Sequence, residues 1–153
     1  MAEFLPVDPF DLIIVGATGS LSQTKLLPAL YHRFCDGQIN SISRIVGVAQ
    51  TEFAEGEFQN FVKAACIDDC DSRFNEKKWQ GFKRLLHYRC LDASADLAEW
   101  ADVKSILASD QRPRIFYLAL APDIYVPVCN SIKRAELNND SSRLVLEKPI
   151  GSD

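Results

Sequence analysis

The residues of this chain best suited to chemistry are the small ones from Gly16 to Ser22, which read Gly16-Ala17-Thr18-Gly19-Ser20-Leu21-Ser22. Glycines at Gly16 and Gly19 let the backbone turn tightly and bring its N–H groups close to a phosphate. Helical spacing starts at Ser20 and aims the positive end of a helix dipole at the same place. Ahead of the turn, Leu12-Ile13-Ile14-Val15 is a short apolar run bounded by glycine, the mark of a buried strand. Strand, glycine turn and helix in that order open a dinucleotide-binding fold. The spacing is Gly-x-x-Gly-x-x-Ser rather than Gly-x-Gly-x-x-Gly, and a bare glycine pair also fits an ordinary strand-to-helix turn. The flanking strand and helix favour the nucleotide.

Other reactive side chains are few. The two histidines, His32 and His87, stand in Leu-Tyr-His-Arg and Leu-Leu-His-Tyr. With no acidic partner motif around them, both read as surface or packing residues. The five cysteines, Cys35, Cys66, Cys70, Cys90 and Cys129, are odd in number and scattered, which argues against a disulfide framework and for the cytoplasm. Cys66 and Cys70 share a helix face, but no further ligand is spaced nearby; they read as packing residues, and no metal site is expected. Lys148, at the end of the last strand, is a compact cation on the side of the sheet where phosphate and nicotinamide would lie, or else a solvated lysine.

Positioning these groups takes about one domain, and 153 residues supply it. Hydrophobic residues make up 47% and charged residues 25%, an ordinary globular balance. A net charge of −4 gives no support for nucleic-acid or membrane-surface partners. No apolar run approaches membrane-spanning length, and Met1 to Phe10 lacks the basic start of a signal peptide. After the first unit, Ser43 to Thr51 and Arg114 to Leu120 read as strands, with His87 to Leu91 and Arg143 to Glu147 shorter ones. Helical patterns cover Glu55 to Cys70, Asn75 to Leu86, Ala95 to Ser109 and Pro122 to about Leu137. Pro28 predicts a kink, or a second helical piece starting near it, in the first helix. The alternation implies an α/β fold, a Rossmann-like, doubly wound parallel sheet with functional groups at strand carboxyl ends.

GATGSLSQTKLLPALY, RIVGVAQ, RIFYLALAPDIYVPVC and RLVLEKPIGSD, in this order, resemble the successive blocks of glucose-6-phosphate dehydrogenase across the whole chain. The resemblance implies a single NAD(P)-binding domain over residues 1–153, from an oxidoreductase converting glucose 6-phosphate and NADP to 6-phosphogluconolactone and NADPH. By that resemblance, Gly16, Ala17, Thr18, Gly19, Ser20, Leu21 and Ser22 line the coenzyme pyrophosphate. Lys25 matches a lysine near the end of the motif, and Tyr125 a tyrosine at the coenzyme site. Lys148 matches the lysine of Glu-Lys-Pro, which contacts the sugar phosphate close to the nicotinamide; Pro149 follows it.

The departures are informative. Ser20 stands where the family usually has Asp, and Gln23 and Thr24 where basic residues are common. Gln50 replaces an arginine for the coenzyme's 2′-phosphate, and Glu52 is nearby, so NAD stands beside NADP as a possible coenzyme. The Asp-His-Tyr-x-Gly-Lys block that carries the family's catalytic base is not in this sequence, nor is the α+β domain that mediates oligomerisation. The expectations are therefore no catalytic residue, weak glucose 6-phosphate binding if any, no oligomer and an inactive chain. The alternative is a non-catalytic NADP-binding module or remnant of the same family. A short-chain reductase is excluded, because no tyrosine is followed four residues later by lysine.

Overall fold

In the computed structural model, which describes residues 7–93, 97–107 and 112–146, the apolar run after Phe10 forms strand β1, Asp11–Val15. All of its residues are buried, because β1 is central: it pairs in parallel with β2 (Arg44–Ala49) on one side and β4 (Arg114–Leu118) on the other. β3 (Leu86–Cys90) and β5 (Arg143–Leu146) complete a five-stranded parallel sheet of order β3-β2-β1-β4-β5.

Alternation along β1 divides the core. Leu12 and Ile14 face helices α1 (Leu27–Cys35), α2 (Glu57–Cys70) and α3 (Glu76–Lys83), meeting Tyr31, Phe58, Val62, Trp79 and Phe82. Ile13 and Val15 face α4 (Leu97–Ile106) and α5 (Tyr125–Arg134), meeting Trp100, Val103, Val128 and Ile132. The sheet is thus doubly wound, as the alternation of strands and helices implies. At Gly47 a Cβ would lie 2.6 Å from the ring of Phe58, so its absence lets α2 pack directly onto β2.

The first helix runs on through Pro28, where a kink or a second helical piece is expected, by way of a π-helical turn. Ser22–Leu26 form a π-helical turn, closed by the Leu27 N–H donating to the Ser22 carbonyl, and α1 then starts with Pro28 in its first turn. Proline cannot donate and crowds the carbonyl four residues back, and the wider turn absorbs both defects. Other limits differ more. The helix expected over Asn75 to Leu86 stops at Lys83, and Leu86 joins β3 instead. The helix expected from Pro122 opens with a 3₁₀ turn, Pro122–Ile124.

At the amino end of the sheet, Asp11 is fully buried, with Oδ1 3.5 Å from Nη1 of Arg112. Arg44 and Arg114 are its register neighbours on the two flanking strands. At the far edge, Leu144, Val145 and Leu146 of β5 are all exposed.

Candidate functional site

The chain runs β1 to β2 to β3 outward in one direction, then returns to place β4 on the other side of β1. Such a reversal leaves a crevice beyond the strand carboxyl ends, where α/β folds hold their ligands. A cleft of about 290 Å³ occupies it. Gly16, Thr18 and Gly19 line it from the turn, Gln50 and Thr51 from the end of β2, and Leu91, Asp92 and Ala93 from beyond β3. Ala119 and Leu120 follow β4, and Ile124 and Val128 close the far side.

Gly16 has φ +91°, and a Cβ there would lie 2.3 Å from the Ala119 carbonyl oxygen. Only glycine lets the turn leave β1 against the exit of β4. The backbone donors divide into two sets. The N–H groups of Gly16 and Ala17 both donate to the Val48 carbonyl, at 2.8 and 3.2 Å, and that of Gly19 donates to Gly16. Gln23 N–H to the Gly19 carbonyl, at 3.0 Å, is the first helical bond, so the N–H groups of Ser20, Leu21 and Ser22 lie ahead of it. Such leading N–H groups at a positive dipole end suit a pyrophosphate.

Ala17 and Ser22 serve the turn from behind. Ala17 is buried in the core, and the buried Ser22 hydroxyl donates to the Gly16 carbonyl at 3.0 Å. Lys25 is exposed in the π-helical turn and does not line the cleft. Gln50 is exposed at the rim. Its turn is held by the Tyr88 hydroxyl, which reaches the carbonyls of Ala49 at 3.2 Å and Thr51 at 2.5 Å. Burial pushes the Tyr88 phenol up to about 12, so it remains a donor at neutral pH. Thr18 and Thr51 hydroxyls meet at 3.1 Å and tie the glycine turn to the end of β2.

Tyr125, the first residue of α5, is half-buried against the α4–α5 side of the core, while its neighbour Ile124 lines the cleft. Lys148 and Pro149 lie outside the described residues. Among the described residues, Asp92 is the one charged side chain lining the cleft. Asp92 and its neighbours were legible in principle: the rule that points to strand carboxyl ends applies to β3 as it does to β1, β2 and β4.

Neither histidine lines the cleft. His87 lies on β3 beside a separate pocket under Phe53 and Phe58, where burial, with Arg44 and Arg89 nearby, holds its pKa below the usual imidazole value. His32 does have an acidic partner, contrary to the expectation from its sequence neighbours. Its Nε2 lies 2.7 Å from Oδ2 of Asp69, a residue brought to it from α2.

A family model described as "Glucose-6-phosphate dehydrogenase, NAD binding domain" matches residues 13–153. The chain belongs to the glucose-6-phosphate dehydrogenase family. It corresponds to the NAD-binding domain, the N-terminal part of its relatives. It is 37% identical over 154 residues to the glucose-6-phosphate 1-dehydrogenase of Rhizobium meliloti, aligning 99% of this chain with 31% of that one. It is 40% identical to that of Gluconobacter oxydans, over all of this chain and 32% of the other. The chain therefore spans about a third of the length of these dehydrogenases. A solved glucose-6-phosphate dehydrogenase in complex with its substrate glucose 6-phosphate superposes on 99% of the chain, with a TM-score of 0.79 and 27% identity. The crystal structure of the Mycobacterium avium enzyme, at a TM-score of 0.81 and 21% identity, shares the fold. A glucose-6-phosphate dehydrogenase domain of this kind implies a nicotinamide dinucleotide as its coenzyme. No helix among the described residues is long and apolar enough to cross a membrane.

Proposed function

We propose that this chain is the coenzyme-holding part of a glucose-6-phosphate dehydrogenase, and that it binds NADP, with NAD as a competing coenzyme, across the carboxyl ends of β1 and β4. The observation that carries this is the steric demand at Gly16 beside a cleft at the topological switch point. In this reading the leading N–H groups of Ser20, Leu21 and Ser22 hold the pyrophosphate, with Gly16, Ala17, Thr18 and Gly19 forming the turn. Gln50 would lie toward the adenosine ribose; Tyr125 and Lys148 are assigned to the nicotinamide end by the family resemblance alone. The bound coenzyme would supply the hydride acceptor. Lys148 would offer a positive charge to a sugar phosphate, and the free thiols fit a cytoplasmic setting.

Gly19 gives the test. A Cβ there meets only the Gly16 carbonyl, at 3.4 Å, so the fold has room for substitution while the cleft does not. Gly19→Trp is expected to abolish NADP binding in a calorimetric titration and to leave the circular dichroism spectrum unchanged. Equal binding by variant and parent would place the coenzyme elsewhere.

Coenzyme choice turns on Gln50, which can hydrogen-bond a 2′-phosphate but brings no charge. With Asp92 in the lining and Glu52 exposed nearby, discrimination for NADP over NAD is expected to be weak. A charged hydrogen bond contributes about 1.5–3 kcal/mol. Gln50→Arg should therefore tighten NADP roughly tenfold or more and leave NAD unchanged. Equal tightening of both would show that position 50 does not face the 2′-phosphate.

Oxidising a sugar hydroxyl needs a base within hydrogen-bond reach of its proton, and neither histidine lines the cleft. The chain by itself is expected to show no glucose-6-phosphate-dependent reduction of NADP above background, even with coenzyme bound. Turnover that survives purification and disappears in Lys148→Ala would overturn this and mean that a second chain completes the site. The same features favour one other reading, a coenzyme-binding module without chemistry.

A further inference from the structure

Helices α1 and α2 bring together three side chains of different chemistry that take no part in the cleft: His32, Asp69 and Cys70. Their ligand atoms all lie within 4.8 Å of one another. Asp69 Oδ2 is 2.7 Å and Cys70 Sγ 3.6 Å from the same ring nitrogen, Nε2 of His32, while Nδ1 is farther from the sulfur at 4.0 Å. A hydrolytic triad would use the two ring nitrogens for two different partners. Here the oxygen and the sulfur converge on one nitrogen, and Cys70 is only 1% exposed, so no substrate could reach it as a nucleophile.

We propose that His32, Asp69 and Cys70 form a site for one Zn²⁺-class divalent cation that pins α1 to α2. Imidazole nitrogen, carboxylate oxygen and thiolate sulfur together suit a borderline-soft ion, and three protein ligands leave a position for water. Zinc bond lengths of about 2.0–2.3 Å at tetrahedral angles place nitrogen and sulfur about 3.5 Å apart and nitrogen and oxygen about 3.3 Å apart. The observed sulfur–nitrogen separation already matches, while the sulfur–oxygen pair, within 4.8 Å, has to draw in to about 3.6 Å. The nitrogen–oxygen pair has to open by about half an ångström to admit the ion. It can do so because the two side chains are 43% and 41% exposed. A pocket lined by Gln23, Thr24, Ala65, Asp68 and Asp69 borders the site on its Asp69 side. A dication would neutralise the Asp69 carboxylate and the thiolate that Cys70 forms by releasing its proton on binding.

Cys66, one turn before Cys70, is not a ligand. It is fully buried, and burial, with Cys70 and Asp69 nearby, pushes its thiol up to about 12. The sequence suggests Cys66 and Cys70 only as packing residues on one helix face; in the fold the groups beside the Cys70 sulfur are its neighbour Asp69 and His32 of another helix.

The test uses the reduced, chelator-treated 153-residue chain. Zn²⁺ is expected to bind with a stoichiometry of one in calorimetry and to raise Tm by roughly 5–10 °C at a hundredfold excess over Kd. Co²⁺ should give the near-ultraviolet charge-transfer band of a thiolate ligand. His32→Gln and Asp69→Asn, both at exposed positions, and Cys70→Ser should each weaken Zn²⁺ by tenfold or more, while Cys66→Ala binds as the parent does. The proposal is overturned by any of three results: no saturable uptake, unchanged affinity in His32→Gln, or an equal Tm rise with Mg²⁺, which would mark a site made of carboxylates alone.

Discussion

Gly16→Ala is expected to lower the unfolding free energy by about 3–5 kcal/mol, and with it the coenzyme site. The left-handed φ of +91° is strained for any residue with a Cβ. The added methyl would also sit 2.3 Å from the Ala119 carbonyl oxygen and 2.9 Å from Cδ2 of Leu120. Leucine can turn aside, but the carbonyl belongs to the backbone leaving β4, so relief requires moving one wall of the cleft. Strain and overlap each cost roughly 1–3 kcal/mol, and for a chain of this size the sum lowers Tm by about 10 °C. Gly19→Ala is the control, because its Cβ has room. Melting curves of the two variants make the comparison; a Gly16→Ala midpoint equal to that of Gly19→Ala would show that the β1 exit is free to rearrange.

Asp11→Asn should be about as damaging, for an electrostatic reason. The carboxylate is fully buried at the start of β1, with Arg112 at 3.5 Å and arginines at the register-matched positions 44 and 114. Arg112 is itself only 9% exposed. Neutralising Asp11 removes the carboxylate of a buried ion pair with that guanidinium, a change that costs about 3–5 kcal/mol when one partner of such a pair is lost. Urea unfolding measures this directly. A loss below about 1 kcal/mol would mean that the carbonyls of Ile42 and Leu137, which accept from Arg112 at 2.8 Å and Arg114 at 2.6 Å, suffice to hold the arginines.

What could be read along the chain was what depends on neighbours along the chain. The apolar run Leu12 to Val15, the glycines behind it and Pro28 each act on their own few residues. Strand β1, its turn and the irregularity of the first helix at Pro28 therefore followed from local sterics and missing donors. The parallel, doubly wound sheet followed from the alternation of strands and helices. The blocks around Gly16 and Tyr125 carried the family resemblance, and the family match over residues 13–153 bears it out.

Tertiary structure alone decided which groups face one another. Ala17 and Ser22 belong to the glycine motif by sequence, yet the fold turns both inward, because Val48 takes the N–H of Ala17 and Gly16 takes the hydroxyl of Ser22. Asp92 reaches the cleft only because β3 ends level with β2. Asp11 looks like a polar residue before a strand until register sets Arg44 and Arg114 beside it. His32 and Asp69, 37 residues apart, meet because α1 and α2 pack on the same face of the sheet. Composition and spacing specify the elements through forces that act over a few residues. Register and facing come from packing the whole sheet at once: a change of one residue in the register of β1 would part Asp11 from Arg44 and Arg114, and the helices and loops face as they do only because the strands beneath them are fixed.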